Sequence, residues 1–304
     1  MMKTYGKVLV IMGGWSNERE ISLISGKSVY NSLISSGVDA LELDLDKNNI
    51  ENIKKISPER VFIVLHGKGG EDGEIQSYLD KLSIPYTGSS SKSSKACMNK
   101  RYTKEILLEN LIPTPEYKQI NSKTNIEEIE ASFNYPFVIK PSSEGSSIGV
   151  HIVENKKDCK KAILDNTKIS NDFILEEYIK GNEYTIGILN NYALPAIKLE
   201  PPGKFYDYNA KYNSKKMKYI CPSKLSKDIE EHMKELSLKT FKALECNGWG
   251  RVDIILDEKE QKPWVIEINT VPGMTEHSLL PMAAKENNIN FDDLVLKILD
   301  TSFD

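Results

Sequence analysis

Four polar residues near the carboxyl end of the chain have types and spacing that suit chemistry. Glu267 and Asn269 stand two apart in Trp264-Val265-Ile266-Glu267-Ile268-Asn269. The branched apolar residues of that run predict a strand, and Pro272-Gly273 closes it. Side chains alternate faces along a strand, so the carboxylate and the amide share one face. Together they offer hard oxygen donors, the kind Mg²⁺ prefers when it shares its shell with substrate phosphates. Upstream, Gly248-Trp249-Gly250-Arg251-Val252-Asp253-Ile254-Ile255-Leu256 alternates in the same way, with Arg251 and Asp253 on one face. The polar stretch 257–263 between the two runs predicts neighbouring antiparallel strands. If their polar faces coincide, Asp253, Glu267 and Asn269 converge beside a guanidinium, which equips a site for an Mg²⁺-bound triphosphate. Taken alone, the run with Glu267 and Asn269 reads more readily as an edge strand with a solvated polar face; the upstream run shifts that balance.

Other residues fit a site of that kind. Lys140 ends the apolar run Phe137-Val138-Ile139, where it reaches phosphates as a point charge. The following Ser142-Ser143-Glu144-Gly145-Ser146-Ser147 offers N–H groups and hydroxyls to a triphosphate, although no Walker motif is present. Phe173 to Ile179 predicts a strand whose backbone near Glu177 and Ile179 could read an adenine edge, with Glu183 placed for ribose hydroxyls. Glu18 follows the first strand and His66 the third, the ends at which open α/β sheets bind ligands. Asn17 and Glu20 predict a capping box, leaving Glu18 ionised in the first turn and able to hold an ammonium. A surface glutamate paired with the helix dipole, and a histidine bonding locally in a glycine-rich turn, are the bland alternatives. The long polar loop around Phe205 to Lys216 has three tyrosines and several lysines, including Lys211 and Tyr212, and suits a lid over phosphates as well as a solvated charge run.

The elements that must position these residues follow from pattern and composition. Over residues 7 to 95 strands and helices alternate, which implies a parallel sheet with helices on its faces. Glycines after the first strand imitate a dinucleotide fingerprint, but G-x-G-x-x-G is absent and Asp44 and Asp46 arrive late. Ser89 to Ser94 reads as a linker, and a helix from Ala96 to Leu108 follows it. The chain has 304 residues, 39% hydrophobic and 28% charged, the profile of a globular protein. A net charge of −4 gives no case for nucleic acid. No apolar run approaches the roughly 20 residues of a membrane span. The four cysteines show neither zinc spacing nor a disulfide framework, and with no signal-peptide layout a cytoplasmic location is expected.

Seven stretches in order carry a resemblance over essentially the whole chain. They are Gly13-Gly14-x-Ser16-x-Glu18-Arg19-Glu20, His66-Gly67-x-Gly69-Gly70-Glu71-Asp72-Gly73, Met98-x-Lys100, Lys140-Pro141-x-x-Glu144-Gly145-Ser146-Ser147, Phe205-Tyr206-Asp207-Tyr208-x-Ala210-Lys211-Tyr212, Gly248-x-Gly250-Arg251-x-Asp253 and Glu267-x-Asn269-Thr270-x-Pro272-Gly273-Met274-Thr275. In these the chain resembles the D-alanine–D-alanine ligases of the ATP-grasp superfamily. The resemblance implies an α/β fold, with an N-terminal parallel-sheet (pre-ATP-grasp) domain followed by a two-part ATP-grasp fold. The domains expected are 1–95 for substrate binding, 96–176 as the central subdomain and 177–304 as the catalytic subdomain. It implies that Lys100, Lys140, Ser147 and Lys211 meet ATP phosphates and that Glu176, Glu177, Ile179 and Glu183 line the adenosine pocket. Asp253, Glu267 and Asn269 would hold two Mg²⁺ ions, with Mn²⁺ as a substitute. Glu18 would take the ammonium of the first D-alanine, with Ser146 and Tyr212 bonded to it. Ser278 and Leu279 would contact the second D-alanine, with His66 nearby. Arg251 and the Gly273 N–H would hold the oxyanion. The implied activity makes D-alanyl-D-alanine through an acyl phosphate for peptidoglycan synthesis, in a homodimer. Tyr212 goes with D-alanine rather than D-lactate as second substrate. Val271 and Glu177 depart from the pattern; only the backbone of Glu177 should touch adenine, so little is expected of that change.

Overall fold

The computed structural model describes residues 4–201 and 217–303. The chain opens with β1 (Val8–Gly13), α1 (Arg19–Ser35), β2 (Ala40–Leu45), α2 (Asn52–Ile56), β3 (Arg60–Ile63) and α3 (Glu74–Leu82). The three strands are parallel in the order β2-β1-β3. β1 lies in the middle and is buried along its whole length, which is why its sequence is a continuous apolar run. A parallel bridge from Tyr86 to Val61 is the residue of a fourth strand. Returning helices α9 (Leu279–Glu286) and α10 (Phe291–Asp300) pack into the same core through Leu280, Leu294, Val295 and Ile298.

Three expectations about helix starts are corrected. The serine run is not a linker: Ser90 accepts the Ser93 N–H as N-cap, and α4 (Ser91–Met98) begins inside the run. The helix expected from Ala96 to Leu108 is two helices. Asn99 is extended between them, and its side chain caps α5 (Lys100–Glu109) by accepting from the Tyr102 N–H at 3.0 Å. This break puts Lys100 in the first turn of a new helix. The Asn17–Glu20 capping box does not form either. Glu18 is the N-cap of α1, and Ser16 Oγ accepts the Glu18 N–H at 3.1 Å while donating to the His66 carbonyl at 2.7 Å. A contact from a distant loop therefore takes over the local capping rule.

Two antiparallel sheets build the rest. The first has the order β4 (Tyr117–Ile120), β7 (Phe173–Glu177), β5 (Phe137–Pro141), β6 (His151–Val153) and packs with α6 (Ile126–Ser132) and α7 (Lys156–Asn166) over Phe137, Ile139 and Leu175. The second runs β11 (Lys218–Ile220), β10 (Ile197–Glu200), β8 (Gly181–Leu189), β12 (Trp249–Asp257), β13 (Pro263–Asn269), with β9 (Tyr192–Ala193) paired to β8. Helix α8 (Lys227–Ala243) contributes Met233 and Phe241 to a core shared with Ile186, Val252, Ile254 and Val265.

The hairpin of β12 and β13 is antiparallel as expected. Arg251 faces Asn269 and Asp253 faces Glu267, but the register then shifts and Ile254 pairs with Val265. Ile266 is the extra residue of a β-bulge. The bulge keeps Val252, Ile254, Val265 and Ile268 in the core and leaves both Ile266 and Glu267 on the cleft. The four cysteines are free thiols, yet Cys97 and Cys246, distant in sequence, have their sulfurs 3.4 Å apart.

Candidate active site

Asp253 is the hub of the hairpin face and only 4% exposed. Arg251 donates to it twice, from Nε and Nη2, at 2.8 Å each. Asn269 Nδ2 donates at 3.0 Å and Thr185 Oγ1 at 2.6 Å. Directly across the strand pair stands Glu267, whose carboxylate is 3.9 Å from the Lys100 ammonium. Like charges facing each other across a ladder are unfavourable. Here Arg251 and Lys100 offset them, and the oxygen donors Asp253, Glu267 and Asn269 suit a hard divalent cation. Among the described residues no cluster of three or more acidic, histidine or cysteine side chains of metal-binding geometry occurs, so two carboxylates and one amide are the set on offer.

A cleft of about 850 Å³, its open side included, lies between the two antiparallel sheets. One wall has Val138, Lys140 and Ile152, the other Glu183, Ile255, Ile266 and Glu267, with Glu177 and Ile179 at the connection between β7 and β8. Apolar branched side chains fill most of both walls, which suits a flat aromatic base. At the inner end Glu176, 3% exposed, forms ion pairs with Lys140 at 2.9 Å and Lys104 at 3.1 Å. Burial works to raise the Glu176 carboxyl, but the two lysines outweigh it and hold the group below its ordinary range. Lys104 has its own pKa brought down to about 8, chiefly by burial, with Glu176 opposing.

The loop after β5 closes over this end. Lys100 Nζ donates to the Glu144 carbonyl, and Glu144 and Ser147 line the cleft. Ser146 and Ser147 both have left-handed backbones, with φ of 51° and 58°. Such conformations are uncommon for residues with a side chain and persist where surrounding contacts impose them. One such contact is the hydrogen bond from Ser146 Oγ to Glu18 Oε1. It joins the central sheet's loop to the start of α1.

Around Glu18 the glycine-rich loop meets the turn after β13. Glu71 accepts the Gly67 N–H at 2.7 Å and the Val271 N–H at 3.3 Å. Its carboxyl is pushed up to about 8, by burial first and by the Glu18 charge second. His66 is buried, with Nδ1 donating to the Val271 carbonyl at 2.8 Å and Nε2 3.3 Å from Ser25 Oγ. Burial lowers its pKa, and with Nδ1 donating to a carbonyl the neutral imidazole fits this geometry. Ser25 Oγ also accepts the Met274 N–H at 3.2 Å, so Gly273 is flanked by Val271, tied to His66 and Glu71, and by Met274, tied to helix α1. Ser278 stands at the N-cap position of α9 without a side-chain capping bond and accepts the Thr275 N–H at 3.0 Å, and Leu279 begins the helix, buried.

Of the expected residues, Lys100, Lys140, Ser147, Glu176, Glu177, Ile179, Glu183 and Glu267 line the cleft, Arg251, Asp253 and Asn269 adjoin it on the hairpin that carries Glu267, and Ser146, next to Ser147, is bonded to Glu18. His66, Gly273, Ser278 and Leu279 flank this region. Tyr212 and Lys211 lie outside the described residues. Three contributors escaped the sequence reading. Thr185 shares the cleft face of β8 with Glu183, so alternation contained that signal. Lys104 is four residues after Lys100, on the same helix face. Glu71 sits within the glycine-rich motif but has no feature that separates it from the neighbouring acids.

Comparison with known proteins gives a consistent result. A family model described as D-ala D-ala ligase C-terminus matches residues 106–300, and one described as D-ala D-ala ligase N-terminus matches residues 44–89. The D-alanine--D-alanine ligase of Nitrosococcus oceani is 43% identical over 303 residues, 100% of this chain and 96% of that protein. The crystal structure of D-alanine--D-alanine ligase from Bacillus anthracis superposes with a TM-score of 0.88 at 34% identity, covering 98% of this chain and 97% of that one. The same enzyme complexed with ATP gives 0.84 at 30% identity, with the same coverage.

Proposed function

The chain belongs to the D-alanine–D-alanine ligase family, and from that premise we propose that it joins two D-alanine molecules into D-alanyl-D-alanine at the expense of ATP, through an acyl phosphate, for peptidoglycan synthesis. The observation that carries this reading is the continuity of the site. The Lys140–Glu176 end, the Arg251–Asp253–Glu267 face and the Glu18–Ser146 contact lie on elements that adjoin one another.

A carboxylate is a poor electrophile at neutral pH and must be activated. ATP lies with its base between the apolar walls and its phosphates toward Lys100, Lys140 and Ser147. The first D-alanine gives its ammonium to Glu18, which Ser146 orients. Its carboxylate oxygen attacks the γ-phosphorus, the bond to the β-phosphate oxygen breaks, and ADP leaves an acyl phosphate. Arg251 lies where charge builds on the transferring group. The second D-alanine, beside Ser278 and Leu279, attacks the acyl carbon through its neutral amine. The oxyanion is held by Arg251 and the Gly273 N–H, and phosphate departs. Asp253, Glu267 and Asn269 would hold Mg²⁺ or Mn²⁺, which when bound neutralises phosphate charge. Excluding water matters because the acyl phosphate hydrolyses. The enzyme is further read as a cytoplasmic homodimer preferring D-alanine over D-lactate as acceptor.

The test is phosphate release from ATP with and without D-alanine, with the product identified by mass. Release that depends on D-alanine and yields the dipeptide bears the reading out. Release indifferent to D-alanine, or mainly an ester when D-lactate competes, overturns it.

A further inference from the structure

Lys104 is a buried cation to which the mechanism above assigns no task. It is 1% exposed, and its ammonium meets three acceptors: Thr114 Oγ1 at 2.7 Å, the Pro115 carbonyl at 2.9 Å and Glu176 Oε2 at 3.1 Å. An ammonium has three protons to donate. Two protons go to Thr114 and Pro115, the ammonium is paired with Glu176, and Lys104 is not among the residues lining the cleft. Its neighbours are themselves fixed. Thr114 Oγ1 donates to the Val265 carbonyl at 2.9 Å, and the Val265 N–H donates to the Pro113 carbonyl at 2.9 Å. The lysine is thus anchored between α5 and the bulged strand β13.

The carboxylate it meets does line the cleft. Glu176 faces Lys140 through both oxygens, at 3.1 and 2.9 Å, and both side chains border the cavity. Two ammonium groups share one carboxylate, which leaves one positive charge in excess in a buried place. Lys140 is the member in position to meet an anionic ligand, and Lys104 is the member that secures the acid. Without Lys104, Glu176 would have a single cation to offset its burial. It would then either take a proton or draw Lys140 away from the phosphates.

We propose that Lys104 is a positioning residue for the nucleotide, holding Glu176 ionised and oriented so that this carboxylate sets the Lys140 ammonium and accepts a hydrogen bond from the amino group of adenine. The inference rests on the ATP reading of the cleft. An ionised carboxylate can only accept. Adenine offers it a donor at position 6, where guanine has a carbonyl that it repels. Lys104 thereby contributes to base selection without touching the base.

The experiment compares the wild-type chain with Lys104→Met, Lys104→Arg, Glu176→Gln and the double variant Lys104→Met/Glu176→Gln. ATP and GTP affinities are read by titration calorimetry without D-alanine, and kcat and KM are read with it. Lys104→Met is expected to weaken ATP binding about tenfold or more and to narrow the preference for ATP over GTP, while the KM for D-alanine stays within about threefold. Lys104→Arg should restore most of the affinity, and in the Glu176→Gln background Lys104→Met should add less than about threefold. The proposal fails if Lys104→Met leaves ATP affinity and base preference within about twofold, or if the same factor appears with Glu176 already neutralised. If Lys104→Met does not fold, Lys104→Gln carries the same comparison. A wild-type chain that binds ATP but releases no phosphate on D-alanine addition overturns the ligase reading, while calorimetry still decides the role of Lys104.

Discussion

Glu71→Gln should make the protein's stability less sensitive to pH, in a direction the structure dictates. The Glu71 carboxyl rises from 4.5 to about 8 because burial and the neighbouring Glu18 charge outweigh the Gly67 and Val271 N–H groups and Arg251. The folded pKa lies above the unfolded one, so between those values the native state binds more protons than the unfolded chain. Stability from this group is complete below about pH 4.5 and is lost as pH climbs through about 8. A rise of about 3.5 corresponds to about 5 kcal/mol at most. Glu71 is only half-buried and solvent screens part of the interaction, so about 2–3 kcal/mol is the working figure. Glutamine does not titrate, and it keeps one acceptor of the two. At pH 4, where Glu71 is protonated in the folded state and mostly so in the unfolded one, the variant should be level with or about 1 kcal/mol below wild type through the lost acceptor. At pH 9 it should be the more stable by about 2 kcal/mol, once wild-type Glu71 is charged. Urea denaturation of both proteins at the two pH values measures the crossover. His66 also titrates differently in the two states, but it is present in both proteins, so its effect largely cancels in the difference. Glu18→Gln supplies an internal check, because removing the second cause should move the wild-type midpoint down. A gap between Glu71→Gln and wild type that is the same at both pH values would refute the reasoning.

Three further outcomes concern activity. Arg251→Ala removes both 2.8 Å contacts to Asp253 and the guanidinium at the transferring group, and kcat should fall by about 10²-fold or more; near-normal turnover would exclude Arg251 from the chemistry. Thr185→Val keeps the shape of a residue only 1% exposed but deletes the 2.6 Å donor to Asp253, a bond worth about 1.5 kcal/mol, so urea denaturation should show a loss of stability of about that size and kcat/KM should fall as Asp253 loses one of its restraints; unchanged stability would mean that Thr185 does not hold Asp253. Gly67→Ala places a Cβ 2.6 Å from Glu18 Oε2 at a φ of +65°, so the KM for the first D-alanine should rise at least about tenfold while ATP affinity is unaffected; an unchanged KM would mean that Glu18 does not hold the ammonium.

The parts legible from sequence are those where a single period decides the outcome. Alternation along β12 and β13 put Arg251 and Asp253 on one face and Glu267 and Asn269 on another, and the ladder makes those faces the same one. The bulge at Ile266 was not legible, because an inserted residue looks like any other branched apolar residue until the partner strand is known. The capping box at Asn17 and Glu20 satisfied a local rule and still failed, since the His66 carbonyl and Ser16, distant in sequence, fixed the turn first. The serine run misled by composition: serine suits loops, but it also caps helices, and Ser90 does that. Thr185 and Lys104 were hidden for a different reason. Each acts on another side chain rather than on a ligand, and such second partners become visible only when the sheet and helix are assembled.

The charges along the cleft explain why these supporting residues are needed. At one end Glu18 and Glu71 influence each other, and Asp253 faces Glu267 across two strands. At the other, Lys104 and Lys140 share the single carboxylate of Glu176. Among the described residues the first end is rich in carboxylates, which Arg251 and Lys100 partly offset, and the second is rich in ammonium groups, and neither arrangement favours folding on its own. Each set matches a group that the proposed substrates bring: ammonium toward the acids, triphosphate toward the lysines. The cost is contained by groups that stay inside the protein. Thr185 and Asn269 steady Asp253, backbone N–H groups steady Glu71, and Thr114 and Pro115 steady Lys104. These charges are thereby fixed in place before a ligand arrives, and binding need not order them again.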